Sequence, residues 1–276
     1  MKTQNRVGLV GAGGADRSFL ARMPALLAQL GPVKASSLRL ARRIANQLRA
    51  GVGIGDYSAL QDCSLLWIQG PESALDSVTA ELASQVRLDG KMVVLVEVMR
   101  DSLHMGPLRS AGAQVATLNC IPASDERIFV AEGSPAVTAE LRKLLTREGR
   151  KLIELQPASK TLYLAGVHAA AHLLMPWIAG AVESFRAAGF TRTEAVHSVQ
   201  SLGLHALRAY AKAGAKAWSR ADAEAMYRAI EADLETVRQA DHGLAALPME
   251  GAERLLRSFA KKPVAKRPQS IAVRAS

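Results

Sequence analysis

Arg6-Val7-Gly8-Leu9-Val10-Gly11-Ala12-Gly13-Gly14-Ala15-Asp16 is a short apolar run that closes on a glycine cluster, with the apolar-periodic segment Ser18–Leu30 behind it. The pattern predicts a buried strand, a tight turn and a helix. Gly11-Ala12-Gly13 supplies the first two glycines of G-x-G-x-x-G, the opening of a dinucleotide-binding unit. The first glycine permits the tight turn, and the second lets the backbone approach a pyrophosphate. Amides at the helix start then face the anion. The candidate cradle is Gly11, Ala12, Gly13 and Gly14.

Asp16 stands at the third glycine position. A carboxylate there suits the helix dipole and caps the helix start. It also brings negative charge to where the pyrophosphate must sit. Two readings stay open at this point. In one, Arg17 or backbone amides compensate and a cofactor still binds. In the other, the strand–turn–helix has kept its shape and lost its ligand.

The 276 residues suffice for one large domain or two ordinary ones, and a hydrophobic share of 49% supports a sizeable core. Aromatic residues make up only 4%, and Ala and Leu dominate, which suits helix packing. The net charge is +10, and Lys261, Lys262, Lys266, Arg267 and Arg274 lie in a tail with no acid. Neither a basic face interleaved with aromatics nor a nucleic-acid motif is present, so no nucleic-acid partner is expected. Cys63 and Cys120 are far apart and form no C-x-x-C, so neither a disulfide framework nor a zinc motif follows. No signal-peptide pattern is evident. No apolar run reaches transmembrane length; the longest candidate, near Leu162–Val182, carries two His and a Pro. A cytoplasmic protein with no membrane partner is expected.

Along the chain, Gly31-Pro32 breaks the first helix and Val33–Ser36 is a short strand candidate. Ser37–Leu48 is helical, with Leu40, Ala41, Ile44, Ala45 and Leu48 apolar. In a dinucleotide fold the end of the second strand meets the adenosine ribose, where an acid selects NAD. Here the chain reads Ser36-Ser37-Leu38-Arg39, so NADP is favoured over NAD if a cofactor binds, with Ser37 and Arg39 toward its 2′-phosphate. The alternative is that these arginines are a solvated helix face. Strands are predicted within Asp62–Pro71, Lys91–Val98, Gln114–Leu118, Ile128–Glu132 and Lys151–Leu155. Helices are predicted over Ser73–Ser84, Leu103–Ala111 and Pro135–Glu148. Alternation of this kind implies a mainly parallel sheet covered on both faces. From Ser159 to Ala260 the pattern is helical throughout: Ser159–Ala188, Thr193–Ala213, Ala221–Ala240 and Met249–Ala260. Lys261–Ser276 is too polar to order.

Several segments together carry a family resemblance. They are Asp62–Leu75 with its Gly70-Pro71-Glu72 turn, Pro107-Leu108-Arg109-Ser110-Ala111-Gly112-Ala113, Phe129–Gly133 followed by Leu141–Glu154, and Lys160-Thr161-Leu162-Tyr163. In their order they resemble the Rossmann-like proteins of unassigned function with a helical C-terminal domain. Those are distant relatives of pyrroline-5-carboxylate reductase and of the 6-phosphogluconate dehydrogenase superfamily. The resemblance covers most of residues 5–260. It implies an α/β Rossmann-like parallel sheet domain (1–157) and then an all-α domain of the 6-phosphogluconate dehydrogenase C-terminal type (158–260), with a disordered basic tail (261–276). The helices of the second domain carry more Ala, Leu and Met faces than one small bundle needs, so homodimerisation through that domain is expected, and Gly70 and Pro71 would border a nicotinamide ribose. The departures fall where function would be. The H-x-S-G after the fourth parallel strand is replaced around Leu95–Val98, H-P is Asn119-Cys120, and the family's His and Asn on the long helix are Leu164 and His172.

The catalytic candidates are Lys160 and His172, with Lys160 toward a substrate carboxylate and His172 as a general acid. His168 and His172 share a helix face. The rival for His172 is a packing histidine, favoured by Pro176, whose ring displaces the His172 carbonyl. His168-x-x-x-His172 has no third ligand close in sequence, so no metal is expected. His197 and His205 read as a solvated pair, and Trp67 and Trp177 as core or dimer contacts. The leading expectation is an NADP-dependent oxidoreductase acting on a small carbonyl or imine. Its rival is a non-catalytic nucleotide-binding or scaffold protein with a degenerate site.

Overall fold

The apolar runs between predicted turns become strands of one sheet. They are β1 (Val7–Gly11), β2 (Leu30–Ala35), β3 (Val52–Ile54), β4 (Leu65–Gln69), β5 (Met92–Val96), β6 (Gln114–Cys120), β7 (Ile128–Gly133) and β8 (Lys151–Glu154). In the computed structural model, which describes residues 7–11, 20, 23–121, 128–217, 228–229 and 233, they pair in the order β3-β2-β1-β4-β5-β6-β7-β8. The first six strands of that order are parallel neighbours in the doubly wound arrangement, and the order reverses between β1 and β4. Helices α1 (Pro24–Leu27), α2 (Leu38–Leu48), α3 (Leu75–Gln85), α4 (Gly106–Ser110) and α5 (Pro135–Arg147) make the crossovers.

Continuous apolar runs are needed because the central strands are covered on both faces. Successive side chains point to opposite sides. Leu65, Trp67, Val94 and Val96 therefore enter one core cluster, with Ile44 of α2 and Leu141 of α5. Leu66, Ile68, Val93 and Leu95 enter the other, with Leu82 of α3 and Leu108 of α4. Trp67 is fully buried, as its place inside a strand implies.

Several local expectations change. The helix expected over Ser18–Leu30 is, among the described residues, α1 alone. Pro24 sits in its first turn, where a missing N–H costs nothing, and Leu30 already belongs to β2. Gly31-Pro32 does not break the chain between elements but lies inside β2. The register to β1 runs Val7↔Leu30 and then Leu9↔Val33, so β2 carries an extra residue there. That bulge lets a strand paired on both sides hold a proline. The short β3 had no sequence signal, because Gly53 interrupts it. A side chain at Gly53 would meet the Arg42 backbone N at 2.5 Å, so the glycine lets α2 lie close on the strand. The expected Leu103–Ala111 helix is split into a single 3₁₀ turn and α4 by Gly106-Pro107.

β7 runs antiparallel to β6, and β8 runs parallel to β7. The link of residues 121–127 is shorter than the dozen or so residues a parallel crossover needs, so the chain can only turn back. α5 then returns it for a further parallel pair.

The chain divides into two compact units, Met1–Gly166 and Val167–Ser276. In the second, a π turn over His168–His172 leads into α7 (Leu174–Ala187), and α8 (Arg192–Ala213) follows. Thr191 and Glu194 form a reciprocal capping box at the start of α8. The π turn is where the helix absorbs Pro176: Leu173 N–H donates to the His168 carbonyl, five residues back. Helix therefore continues through the histidines and the proline, and Lys160–Ala187 becomes long and apolar enough, by length and composition alone, to cross a membrane. The sequence pattern alone gives no such run, because two His and a Pro interrupt it. Large apolar side chains of this unit face outward, including Leu173, Met175, Leu202, Leu207 and Tyr210. The helices expected over Ala221–Ala240 and Met249–Ala260, and the tail Lys261–Ser276, lie outside the described residues apart from 228, 229 and 233.

Candidate functional site

In open α/β sheets, ligands bind beyond the carboxyl ends of the strands, at the point where strand order reverses. Here that point is flanked by Gly11, the buried last residue of β1, and by Gln69-Gly70-Pro71 after β4. Pro71 caps the 3₁₀ turn Glu72–Ala74 that leads into α3. Ala12, Gly13, Gly14 and Asp16 lie outside the described residues. Beyond β2, Ser36, Ser37 and Arg39 are exposed and no acid accompanies them. Ser37 Oγ accepts the Leu40 N–H at 3.2 Å, capping α2, and its own hydroxyl proton remains to donate. A hydroxyl, a cation and the start of α2 thus lie together just beyond β2, groups of the kind that hold a phosphorylated ribose.

Next to this crevice is a feature that composition did not reveal. Lys160 opens α6 (Lys160–Val167), yet its side chain is 1% exposed and its Nζ has no hydrogen-bond partner among the described residues. A buried, unpaired ammonium is costly. Burial drives the Lys160 amine down to about 8, and Glu132, Glu72, Asp101 and Glu97, in that order, keep it from falling further.

Each of these acids is placed by identifiable local structure. Glu132, on β7, is 4% exposed and accepts both the Ser102 N–H and the Ser102 hydroxyl, each at 2.8 Å. Asp101 caps the 3₁₀ turn Ser102–His104 through the Leu103 and His104 amides and pairs with the His104 ring at 2.6 Å. Burial pushes its carboxyl up, but the His104 and backbone hydrogen bonds outweigh that and leave it below the ordinary range. Glu72 accepts the Met99 N–H at 3.1 Å and pairs with Arg100 Nε at 3.1 Å. Glu97 follows β5 directly, and its Oε1 accepts the Cys120 N–H at 2.7 Å. Burial pushes the Glu97 carboxyl up, against the Cys120 hydrogen bond and the Lys160 charge.

The chain is bent to deliver two of these groups. Glu97 has φ +58° and Ala158, just before Lys160, has φ +60°, left-handed values that non-glycine residues seldom adopt. Strain of this kind persists where surrounding structure enforces it and clusters at functional sites. On the next turn of α6, burial raises the Tyr163 phenol, and the charges of Glu97 and Cys120 add to the effect.

His172 belongs to the second unit. It is exposed, and its Nδ1 lies 3.0 Å from the Nδ1 of His168 in the π turn. One ring must therefore donate to the other. Among the described residues no group of three or more His, Cys, Asp or Glu is placed to hold a metal ion. Two of the acids carry a sequence signal of their own: Glu97 directly follows the apolar run of β5, and Glu132 follows the buried Val130-Ala131 inside a strand.

No family model and no curated protein matches the chain. Solved structures do. An imine reductase from Myxococcus stipitatus in complex with NADP+ aligns with a TM-score of 0.65 at 15% identity, covering 92% of this chain and 99% of that one. A reductive aminase from Aspergillus terreus in complex with NADPH and ethyl-5-oxohexanoate gives 0.63 at 17%, over 91% and 94%. A pyrroline-5-carboxylate reductase from Coxiella burnetii gives 0.55 at 12%, over 91% and 98%. At such identities the likeness is one of fold. The chain has a Rossmann-like α/β unit followed by a helical unit.

Proposed function

We propose that the protein is an oxidoreductase that uses a nicotinamide dinucleotide, NADP in preference to NAD, to reduce a small carbonyl or imine. The observation that carries this reading is Lys160: an amine kept out of water, with no hydrogen-bond partner among the described residues, and poised near pH 8 beside the carboxyl ends of the strands. Groups with this combination of burial and charged neighbours concentrate at reaction centres. The cofactors named for two of the structurally similar proteins, NADP+ and NADPH, support the choice of cofactor.

Gly11, with Ala12, Gly13 and Gly14, would hold the pyrophosphate. Ser37 and Arg39 would hold the 2′-phosphate, and Gly70 and Pro71 would border the nicotinamide ribose. The cofactor, when bound, supplies a hydride. Lys160 holds the proton that the substrate oxygen or nitrogen takes up, at Nζ. Glu132 and Asp101 keep that amine protonated to a higher pH than burial alone would allow. His172 is the second proton donor proposed. The rival reading, a non-catalytic nucleotide-binding or scaffold protein, rests on Asp16 in the glycine loop.

Calorimetric titration with NADPH and NADH tests this reading. NADPH is expected to bind at least about tenfold more tightly, the scale of one charge-assisted contact to phosphate. Arg39→Glu is expected to abolish the preference. Equal affinities in the wild type would refute the NADP assignment, and no binding of either would favour the scaffold.

We also propose a cytoplasmic homodimer formed through the helical unit. Leu202 at 60%, Leu207 at 66% and Tyr210 at 62% exposure put large apolar side chains in water along α8, a surface of the kind that a second copy covers. Light scattering is expected to give twice the chain mass; a monomer at micromolar concentration would rule this out.

A further inference from the structure

Two imidazoles of the second unit face each other across the π turn. The Nδ1 atoms of His168 and His172 lie 3.0 Å apart. The ring centres are 5.0 Å apart and the planes are tilted by 44°, so the rings meet by their nitrogen edges and are not stacked. Residues four apart share one side of a helix, and the Leu173 N–H on the His168 carbonyl closes the π turn that spans both histidines. Such turns are rare and recur at functional sites. His172 is exposed and His168 is half-buried, so solvent reaches the pair. Only Ala169, Ala170 and Ala171 stand between them, and none of the ion pairs among the described residues includes either ring.

We propose that His168 and His172 chelate one late first-row divalent cation, Zn²⁺ or Cu²⁺, through their Nδ1 atoms, with water completing the coordination. The separation of the nitrogens carries this assignment. Two imidazole nitrogens at about 2.0–2.1 Å from one ion stand about 2.9–3.4 Å apart, from a right angle to a tetrahedral one. The pair already sits within that span. Without an ion one ring donates to the other; the ion takes the place of the shared proton. Imidazole favours zinc, copper and nickel, whereas magnesium and calcium require oxygen ligands that this turn does not present. The expectation of no metal rested on the want of a third protein ligand close in sequence, and a two-imidazole chelate does not need one. In the occupied site each ring carries its proton on Nε2, so His172 keeps an N–H for the proton role proposed for it. The metal site stands independently of the oxidoreductase reading. An ion that ties residue 168 to residue 172 also holds the helix register that Pro176 disturbs.

The test is calorimetric titration of the full-length, tag-free protein at pH 7 with Zn²⁺ and with Mg²⁺, joined to electron paramagnetic resonance with Cu²⁺. The wild type is expected to take up one Zn²⁺ per chain and no Mg²⁺, and its Cu²⁺ spectrum to show two coordinated imidazole nitrogens. His168→Gln and His172→Gln are each expected to weaken Zn²⁺ binding at least tenfold, because a second contact made within one molecule multiplies the first by about 10²–10⁴. The double variant is expected to bind little more weakly than either single one, the mark of a chelate. Glutamine is a good helix former, which suits it to these positions. No saturable Zn²⁺ uptake, equal uptake of Mg²⁺, or Zn²⁺ affinity unchanged by either substitution in a folded variant, an adventitious ion only, overturns the proposal. Should the variants misfold, the wild-type Cu²⁺ spectrum decides: fewer than two coordinated nitrogens overturns it. Neither readout involves nucleotide or turnover, so failure here leaves the oxidoreductase reading untouched, and failure of NADPH binding leaves the metal site untouched.

Discussion

Lys160→Met is expected to abolish turnover and, at the same time, to stabilise the fold. Loss of a proton donor costs about 10²–10⁴ in rate, and nucleotide affinity should be unchanged. The stability gain follows from linkage. The amine titrates near its ordinary 10.5 in the unfolded chain and near 8 in the folded one. Between those values the unfolded chain binds more protons, so wild-type stability rises as pH climbs from about 8 to 10.5. Below pH 8 the cost of burying the ammonium is fully in force, about 3 kcal/mol for a displacement of this size. The attraction of the four carboxylates is already counted in that figure, since they oppose the burial effect and do not overcome it. Methionine fills the same space without the charge. Tm at pH 7 should therefore rise by several degrees, and the advantage should vanish above about pH 10.5. Calorimetric melting of both proteins at pH 7 and pH 10.5 measures this. A variant less stable than wild type at pH 7 would mean that Lys160 is a structural ion-pair member.

Glu132→Ala is expected to have the opposite effect on stability. It leaves the Ser102 N–H and hydroxyl buried without an acceptor. Stranded donors of this kind, together with the loss of a buried charge partner, cost about 3 kcal/mol. It also removes the carboxylate that most supports the charged amine, so the Lys160 titration should move below 8. Glu132→Gln retains one acceptor and should lose less stability, while moving the amine in the same direction. Urea denaturation measures the first effect, and nitrogen NMR titration of the labelled lysine measures the second without relying on turnover. If both variants leave the amine where it is, Glu132 is not its partner.

The fold was legible wherever a strand is central. The runs ending at Val10, Ile68 and Val96 are apolar at every position because both faces are covered, and only a strand of that length suits them. It was less legible at the sheet's margins. Pro32 reads as a breaker in isolation, and only pairing with both β1 and β3 shows the bulge that holds it. Glu132 reads as one surface acid among 25 acidic residues, because its burial depends on Ser102, thirty positions away.

The sequence by itself determined the alternation of strands and helices, the glycine cluster that follows β1 in the chain, the missing acid after β2, and Lys160 as a residue to watch. These are local properties, set by periodicity, turn chemistry and residue type along a few consecutive positions. Only the tertiary structure decided that β7 runs antiparallel, that Lys160 is buried with no hydrogen-bond partner among the described residues, and that Glu132, Glu72, Asp101 and Glu97 act on its charge. Charge in water and charge in a protein interior differ through desolvation and through neighbours brought from distant positions. Neither is written in any single segment.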